Sequence, residues 1–255
     1  MKINTDGLIL KEQTIGERDK LLTILTRSNG IIRCFAKGAK LLKGHKCTAT
    51  QALAFSRLTL FIGREKYILD EAEAVEIFYP LRCDLEKLAL AQYFCELAMY
   101  IVHENEPADA YLRLILNALH FLANDKRPRL LIKAVYEMRI MELAGFMPDL
   151  VCCDHCKTYE ADTMYFLVGT ANLLCSECYR GETPAVALSK GALTAMRYSI
   201  YSDFEKLFAF TASDTAISAF ATASEQYILY LTEQKYNSLD FFKSLINTTE
   251  KPPNV

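Results

Sequence analysis

Near Pro80 the recurrence of apolar residues changes from the period of strands to the period of helices, and this switch constrains the fold more than any other feature of the chain. Upstream, residues 7–10, 21–25, 31–36, 53–62 and 67–78 read as strands separated by turn signals such as Ser28-Asn29-Gly30. Five strands in under 80 residues predict a small barrel or sandwich with its own core. Downstream, residues 81–102 are apolar on almost every side, which predicts a helix central in a bundle. Further helices are predicted over 109–123, from Pro128 to Gly145, over 189–201, from a Ser213 or Asp214 cap through Leu231, and over 238–246. At 255 residues and 51% hydrophobic content, the chain reads as an α+β multidomain protein.

The helical part is interrupted by Cys153-Asp154-His155-Cys156, then eighteen residues, then Cys175-Ser176-Glu177-Cys178. Two C-x-x-C knuckles at this separation are a zinc signature. Each sets two thiolates near tetrahedral spacing, and a predicted hairpin of residues 164–168 and 172–174 brings the knuckles together. Four sulfurs close the tetrahedron, so one structural Zn2+ held by Cys153, Cys156, Cys175 and Cys178 is expected. Cys152 adjoins the first ligand as a competitor, and His155 sits inside the knuckle, where a side chain usually points away from the ion. Lys157 and Tyr179 follow the knuckles in place of glycine. Dithiol redox chemistry is the rival reading, but the βαβ setting of such sites is not present. The remaining isolated cysteines, Cys34, Cys47, Cys83 and Cys95, read as buried thiols in a reducing compartment.

Charge is segregated. From Lys20 to Arg64 there are nine basic residues and no acid, where the overall composition would place about five acids. The net charge of the chain is only −2, so this span creates a local positive field of the kind that attracts nucleic-acid backbone. A solvated strand face is the plain alternative. The four histidines form no H-E-x-x-H pair, and no nucleophile elbow, phosphate loop or dinucleotide fingerprint occurs, so no enzyme is expected. Without an apolar run of eighteen residues or a signal-peptide core, a cytoplasmic location is expected.

Taken in order, Gly7-Leu8-Ile9-Leu10, Gly16-Glu17-Arg18-Asp19-Lys20-Leu21, Asn29-Gly30, Ala36-Lys37-Gly38-Ala39, Asp70-Glu71-Ala72-Glu73 and Leu81-Arg82-Cys83-Asp84-Leu85 resemble the bacterial recombination mediator family RecO. The stretch from Glu142 through Gly145-Phe146-Met147-Pro148-Asp149-Leu150 into the first knuckle resembles that family's central segment, and Ala192 to Arg197 matches more loosely. The resemblance implies an N-terminal OB-fold over 1–80, a helical domain over 81–149 and 183–250, an inserted zinc module over 150–182, and a tail over 251–255. It also implies binding of ssDNA and dsDNA, annealing of complementary strands, and help in loading RecA onto strands covered by single-strand-binding protein (SSB). RecR and the acidic C-terminal tail of SSB are the implied partners.

On an OB-fold, Arg33, Phe35 and Lys37 share one face of a strand, as do Phe55, Arg57 and Phe61. Basic residues interleaved with rings suit a single-strand groove, although rings on a small barrel more often fill its interior. Arg33, Lys37, Lys40, Lys43, Lys46 and Arg57 are therefore the candidate DNA-binding residues, with the lysines in or beside a Gly38–Gly44 loop. Arg127, Arg129 and Lys133, beside Lys126 at a helix start, are candidates for docking the SSB tail. A zinc-ribbon OB-fold protein that binds RNA in translation or transcription is the competing reading.

Overall fold

In the computed structural model, which describes residues 1–40, 45–63, 67–181 and 183–249, the five expected strands form and close on themselves in the order β1-β2-β3-β5-β4. They are β1 (Lys2–Ile15), β2 (Asp19–Thr26), β3 (Gly30–Ala36), β4 (Ala54–Ile62) and β5 (Tyr67–Ile77), with the short helix α1 (His45–Ala49) before β4. Helices α2 (Tyr79–Arg82), α3 (Leu85–Ile101), α4 (Asp109–Ala123) and α5 (Arg129–Leu143) follow. Then come β6 (Thr163–Leu167), β7 (Asn172–Cys175), β8 (Ala185–Ser189), α6 (Lys190–Tyr201), α7 (Asp214–Thr232) and α8 (Asn237–Thr249). The residues expected as a tail, and Lys43 and Arg64 of the basic span, lie outside the described residues.

All neighbouring strands of the barrel pair antiparallel except β3 and β5, which run parallel through Cys34↔Tyr67 and Phe35↔Ile68. Period-two alternation sends Ile9, Leu22, Ile24, Ile32, Cys34, Leu58, Leu60 and Leu69 inward, with alanines filling the remainder. The rings do not join them. Phe35 and Phe55 are half-buried and Phe61 is exposed, which corrects the expectation that they fill the interior. Five strands enclose a narrow space, and branched aliphatic side chains with alanine fill it without these three rings, while Tyr67 packs against it partly buried.

Cα packing divides the chain into two units, Met1–Asn124 with the chain from Tyr236 onward, and Asp125–Lys235. The helices expected to form one domain are thus shared out: α3, α4 and α8 belong with the barrel, while α5, α6 and α7 belong with the cysteine knuckles. In the first unit the helix expected over 81–102 is broken, because Asp84 accepts a hydrogen bond from Lys87 N at 3.0 Å and restarts the helix as α3. The apolar circumference of α3 is covered by β1, α2, α4 and α8. Lys87 is buried, and its ammonium donates to Ala123 O at the C-terminal end of α4, where the helix dipole favours a cation. Tyr93 and Tyr236 meet edge to face at 5.4 Å, and Ser238 donates to Glu96 at 2.7 Å, which seats α8 on α3.

The turn between β2 and β3 is stitched to the α3–α4 connection. Ile31 N donates to His103 O, Asn105 N to Asn29 O and Ala108 N to Arg27 O, and the Arg27 guanidinium pairs with Asp109. Gly30 has φ +61, and a Cβ there would meet His103 O at 2.0 Å. Only glycine fits such an approach. Gly30→Ala is expected to destabilise the protein by roughly 1–3 kcal/mol, read as a lowered midpoint in chemical denaturation followed by circular dichroism.

In the second unit β7, β6 and β8 form an antiparallel three-stranded sheet beside α6 and α7. Its core includes a buried ion network. Lys133 Nζ lies 2.9 Å from both Glu137 and Glu225, and Ser224 donates to Glu137 at 2.6 Å. Lys133 and Glu137 are closed to solvent. Lys133 is thus a core cation and not a surface group for an acidic tail, because its charge is already matched by two carboxylates. Lys133→Ala leaves those carboxylates buried and is expected to cost about 3–5 kcal/mol, whereas Arg129→Ala is expected to cost under about 1 kcal/mol in the same denaturation measurement.

Candidate functional site

The first knuckle is a tight turn held on β7. Lys157 N donates to Cys153 O, Asp154 N donates to Leu173 O, and Cys153 bridges Leu173 in parallel. The second knuckle continues β7 directly: Cys178 N and Tyr179 N both donate to Cys175 O. β7 therefore carries one knuckle on its flank and the other at its end, which is why two distant cysteine pairs meet. Lys157 adopts φ +60, the left-handed geometry that glycine would favour, and its ammonium is held 3.1 Å from Asp154. Tyr179 stacks on Tyr165 with centroids 4.2 Å apart. Neither substitution of the usual glycine disturbs the knuckles.

The Sγ atoms of Cys153, Cys156, Cys175 and Cys178 all lie within 4.8 Å of one another, with Cys156 and Cys175 at 3.6 Å. A tetrahedral ion with metal–sulfur bonds of about 2.3 Å requires sulfur separations near 3.8 Å, so the donor set fits. Cys152 is not part of the cluster, and His155 Nδ1 lies 3.5 Å from Cys178 Sγ, beside the tetrad. Hydrogen bonding from Thr158 holds the Cys156 thiol down at about 6, while the neighbouring Cys156 sulfur pushes Cys178 up to about 12. Burial pushes Cys153 up, but the backbone N–H groups of Cys156, Cys175 and His155 outweigh it and hold it below its ordinary value. Four crowded sulfurs cannot all ionise alone, and a divalent cation replaces the protons that repulsion retains. Elsewhere, burial pushes Cys34 and Cys95 up to about 12, as expected of inert core thiols, whereas Cys47 is only half-buried and Cys83 is exposed, so both depart from the expectation.

On the barrel, acids brought in from other strands sort the basic span. Lys20 pairs with Glu12, Arg27 with Asp109 and Asp6, and Arg57 with Asp6 and Glu73. Arg57 lies opposite Asp6 on β1 and Glu73 on β5, in a row separate from Arg33. Arg33, Lys37 and Lys40 are exposed and Lys46 half-buried, and their side chains carry no ion pair among the described residues. Strand register aligns Lys11, Thr23 and Arg33 in one row across β1, β2 and β3, with Gln13, Leu21 and Phe35 in the next outward row. Lys11, Thr23, Arg33, Gln13 and Leu21 of these rows, with Met99 near the end of α3 and Val102 and Glu104 just after it, line a cavity of about 320 Å³. Gly38 N donates to Asp19 and Lys40 N to Arg18 O, which ties the Lys37–Lys40 turn to the β1–β2 turn and brings the exposed Arg18 beside it. Lys11 and Arg18 precede the acid-free span, and the signal that finds Lys11 is its outward phase with Gln13 on β1.

At the start of α5, Arg127 is spent on Phe208 O and Lys126 O, and Arg129 lies 3.9 Å from Asp125. With Lys133 in the core, the three expected tail-docking residues do not form one cationic surface. No helix among the described residues is long and apolar enough to cross a membrane. Elemental analysis of purified protein is expected to find one divalent metal per chain, absent from Cys156→Ser and Cys178→Ser and retained in Cys152→Ser.

Comparison with known proteins agrees with this arrangement along the whole chain. The family described as recombination protein O, N terminal, matches residues 1–78, and recombination protein O, C terminal, matches residues 82–240. The chain is 34% identical to the DNA repair protein RecO of Acetivibrio thermocellus, over 95% of this chain and 97% of that one. It is 30% identical to the RecO of Symbiobacterium thermophilum over 95% and 97%, and 36% identical to that of Desulforudis audaxviator over 71% and 72%. A five-stranded barrel, the cysteine tetrad and matches that run from the first residue to residue 240 place the chain in the RecO family of DNA repair proteins.

Proposed function

We propose that this protein is a DNA-binding recombination mediator whose barrel is an OB-fold and whose cysteine tetrad holds one structural zinc ion. The observation that carries the reading is the sorting of charge on the barrel. Within the acid-free span, Lys20, Arg27 and Arg57 are neutralised, while Arg33, Lys37, Lys40 and Lys46 remain unpaired among the described residues, and Lys11 joins Arg33 in one row. Cations held on a rigid strand row suit phosphates, and Phe35 in the adjacent row suits a stacked base. Such a surface binds without reading sequence, and it accepts single and double strands to different degrees.

Annealing on this surface makes no bond. The cations screen repulsion between two strands and leave bases accessible, so base pairing supplies the driving energy. In the cell this activity would act on strands covered by SSB, with RecR as partner and RecA loaded afterwards. The metal's share is to fold a small segment with little apolar core; Cys153, Cys156, Cys175 and Cys178 would hold it, and the closed tetrahedron leaves no position for a reactant.

Lys11→Glu/Arg33→Glu/Lys37→Glu is expected to weaken single-strand binding and to flatten the plot of log Kobs against log salt by about 0.7 for each phosphate that is no longer neutralised. Arg57→Glu is expected to leave both nearly unchanged. Fluorescence anisotropy with a labelled oligonucleotide over a salt series measures both quantities, and annealing of SSB-coated strands measures the function. Equal binding by the wild type and the triple variant would sink the barrel assignment, and a preference for RNA would favour the translation or transcription reading.

A further inference from the structure

In the second unit a groove of about 550 Å³ opens between α6 and the segment after the first cysteine knuckle, lined by Tyr159, Tyr198, Tyr201, Arg197, Ser202 and Lys206 among others. Two of its three rings are displayed to solvent, Tyr159 at 61% and Tyr201 at 50%. Exposed rings are ordinarily mobile, but Tyr159 is fixed from both sides of its residue. The Arg197 guanidinium lies 4.3 Å from the Tyr159 ring centroid and donates to Tyr159 O, Val151 O and Leu150 O at 2.7–2.9 Å. Tyr198 is braced by Phe210 at 4.8 Å. Two cations, Arg197 and Lys206, stand against one acid, Asp203, which lies 3.5 Å from Lys206.

An occupant should therefore have a flat aromatic face and a negative charge next to it. A nucleotide of a single strand has both to offer, and a duplex does not, because its base faces are stacked inside. We propose that this groove takes one unstacked base of single-stranded DNA, stacked on Tyr159 or Tyr201, with the adjoining phosphate beside Arg197 and Lys206. A ring already held, as Tyr159 is by Arg197, loses little freedom on binding, so that side of the groove is preorganised for stacking. This inference rests on the nucleic-acid reading of the barrel and adds a second contact that distinguishes single from double strands.

The test is photo-cross-linking of the full chain to an oligonucleotide carrying 5-iodouracil, with peptide mapping by mass spectrometry. Cross-links at Tyr159 or Tyr201 are expected. Tyr159→Ala/Tyr201→Ala should lose roughly five- to tenfold in single-strand affinity with duplex affinity unchanged, and Tyr159→Phe/Tyr201→Phe should keep it. Both tyrosines are exposed, and an unchanged thermal midpoint would show that the variants fold. Cross-links confined to barrel residues, with no weakening in the alanine variant, would overturn the groove while leaving the barrel reading intact. Failure of the whole chain to bind DNA would overturn both. An acidic peptide that binds the groove without any tyrosine cross-link to DNA would also overturn it.

Discussion

The contact between Gly30 and the His103 carbonyl sets the geometry of the first unit. The β2–β3 turn approaches the α3–α4 connection so closely that no side chain fits between them, and a short ladder of backbone hydrogen bonds closes the gap. That seam places the end of α3 against the outward rows of β1, β2 and β3. Met99, Val102 and Glu104 then become one wall of a cavity whose other wall carries Lys11 and Arg33. The same seam pairs Arg27 with Asp109 and so removes one cation from the exposed set. Barrel, helix docking and the charged cavity thus depend on a residue that has no side chain.

Charge on the barrel is a tertiary quantity. Along the chain, the acid-free span looks uniformly basic. In the fold, β1 supplies Asp6 and Glu12, β5 supplies Glu73, and α4 supplies Asp109, and each cancels a particular basic residue. What is left is narrower and better placed than the span itself: a row set by strand register and a turn held at the barrel's end. Exposed ion pairs contribute little to stability, so their main consequence is to shape the surface field.

The second unit relies on two different kinds of cross-link. Its small sheet brings the four thiols together, and a metal ion held there would supply folding energy that a short segment cannot obtain from burial. Its helices are joined instead by Lys133, Glu137, Glu225 and Ser224, where every charge has a partner in the interior. Arg197 connects the two regions, since it extends from α6 to three carbonyls that flank the first knuckle. The same arginine fixes the ring of Tyr159, so the framework of the knuckle also shapes the groove beside it.

The sequence by itself determined most of the element types and which four cysteines meet, because both rest on local spacing. Apolar period separates the strands from the helices, and the C-x-x-C knuckles carry their ligand geometry within four residues. Ser213, one of the two cap candidates beside Asp214, could be read for the same reason, since a cap acts within its own first turn. The tertiary structure alone decided what depends on residues far apart in the chain. It broke the helix expected over 81–102, shared the helices between two units, and added β8, whose edge pairing with β6 leaves little local trace. It moved Lys133 from an apparent basic cluster into the core, paired Arg57 with two acids and set Lys11 in one row with Arg33. A charge is free or neutralised according to neighbours that only folding supplies, and spacing along the chain cannot show them.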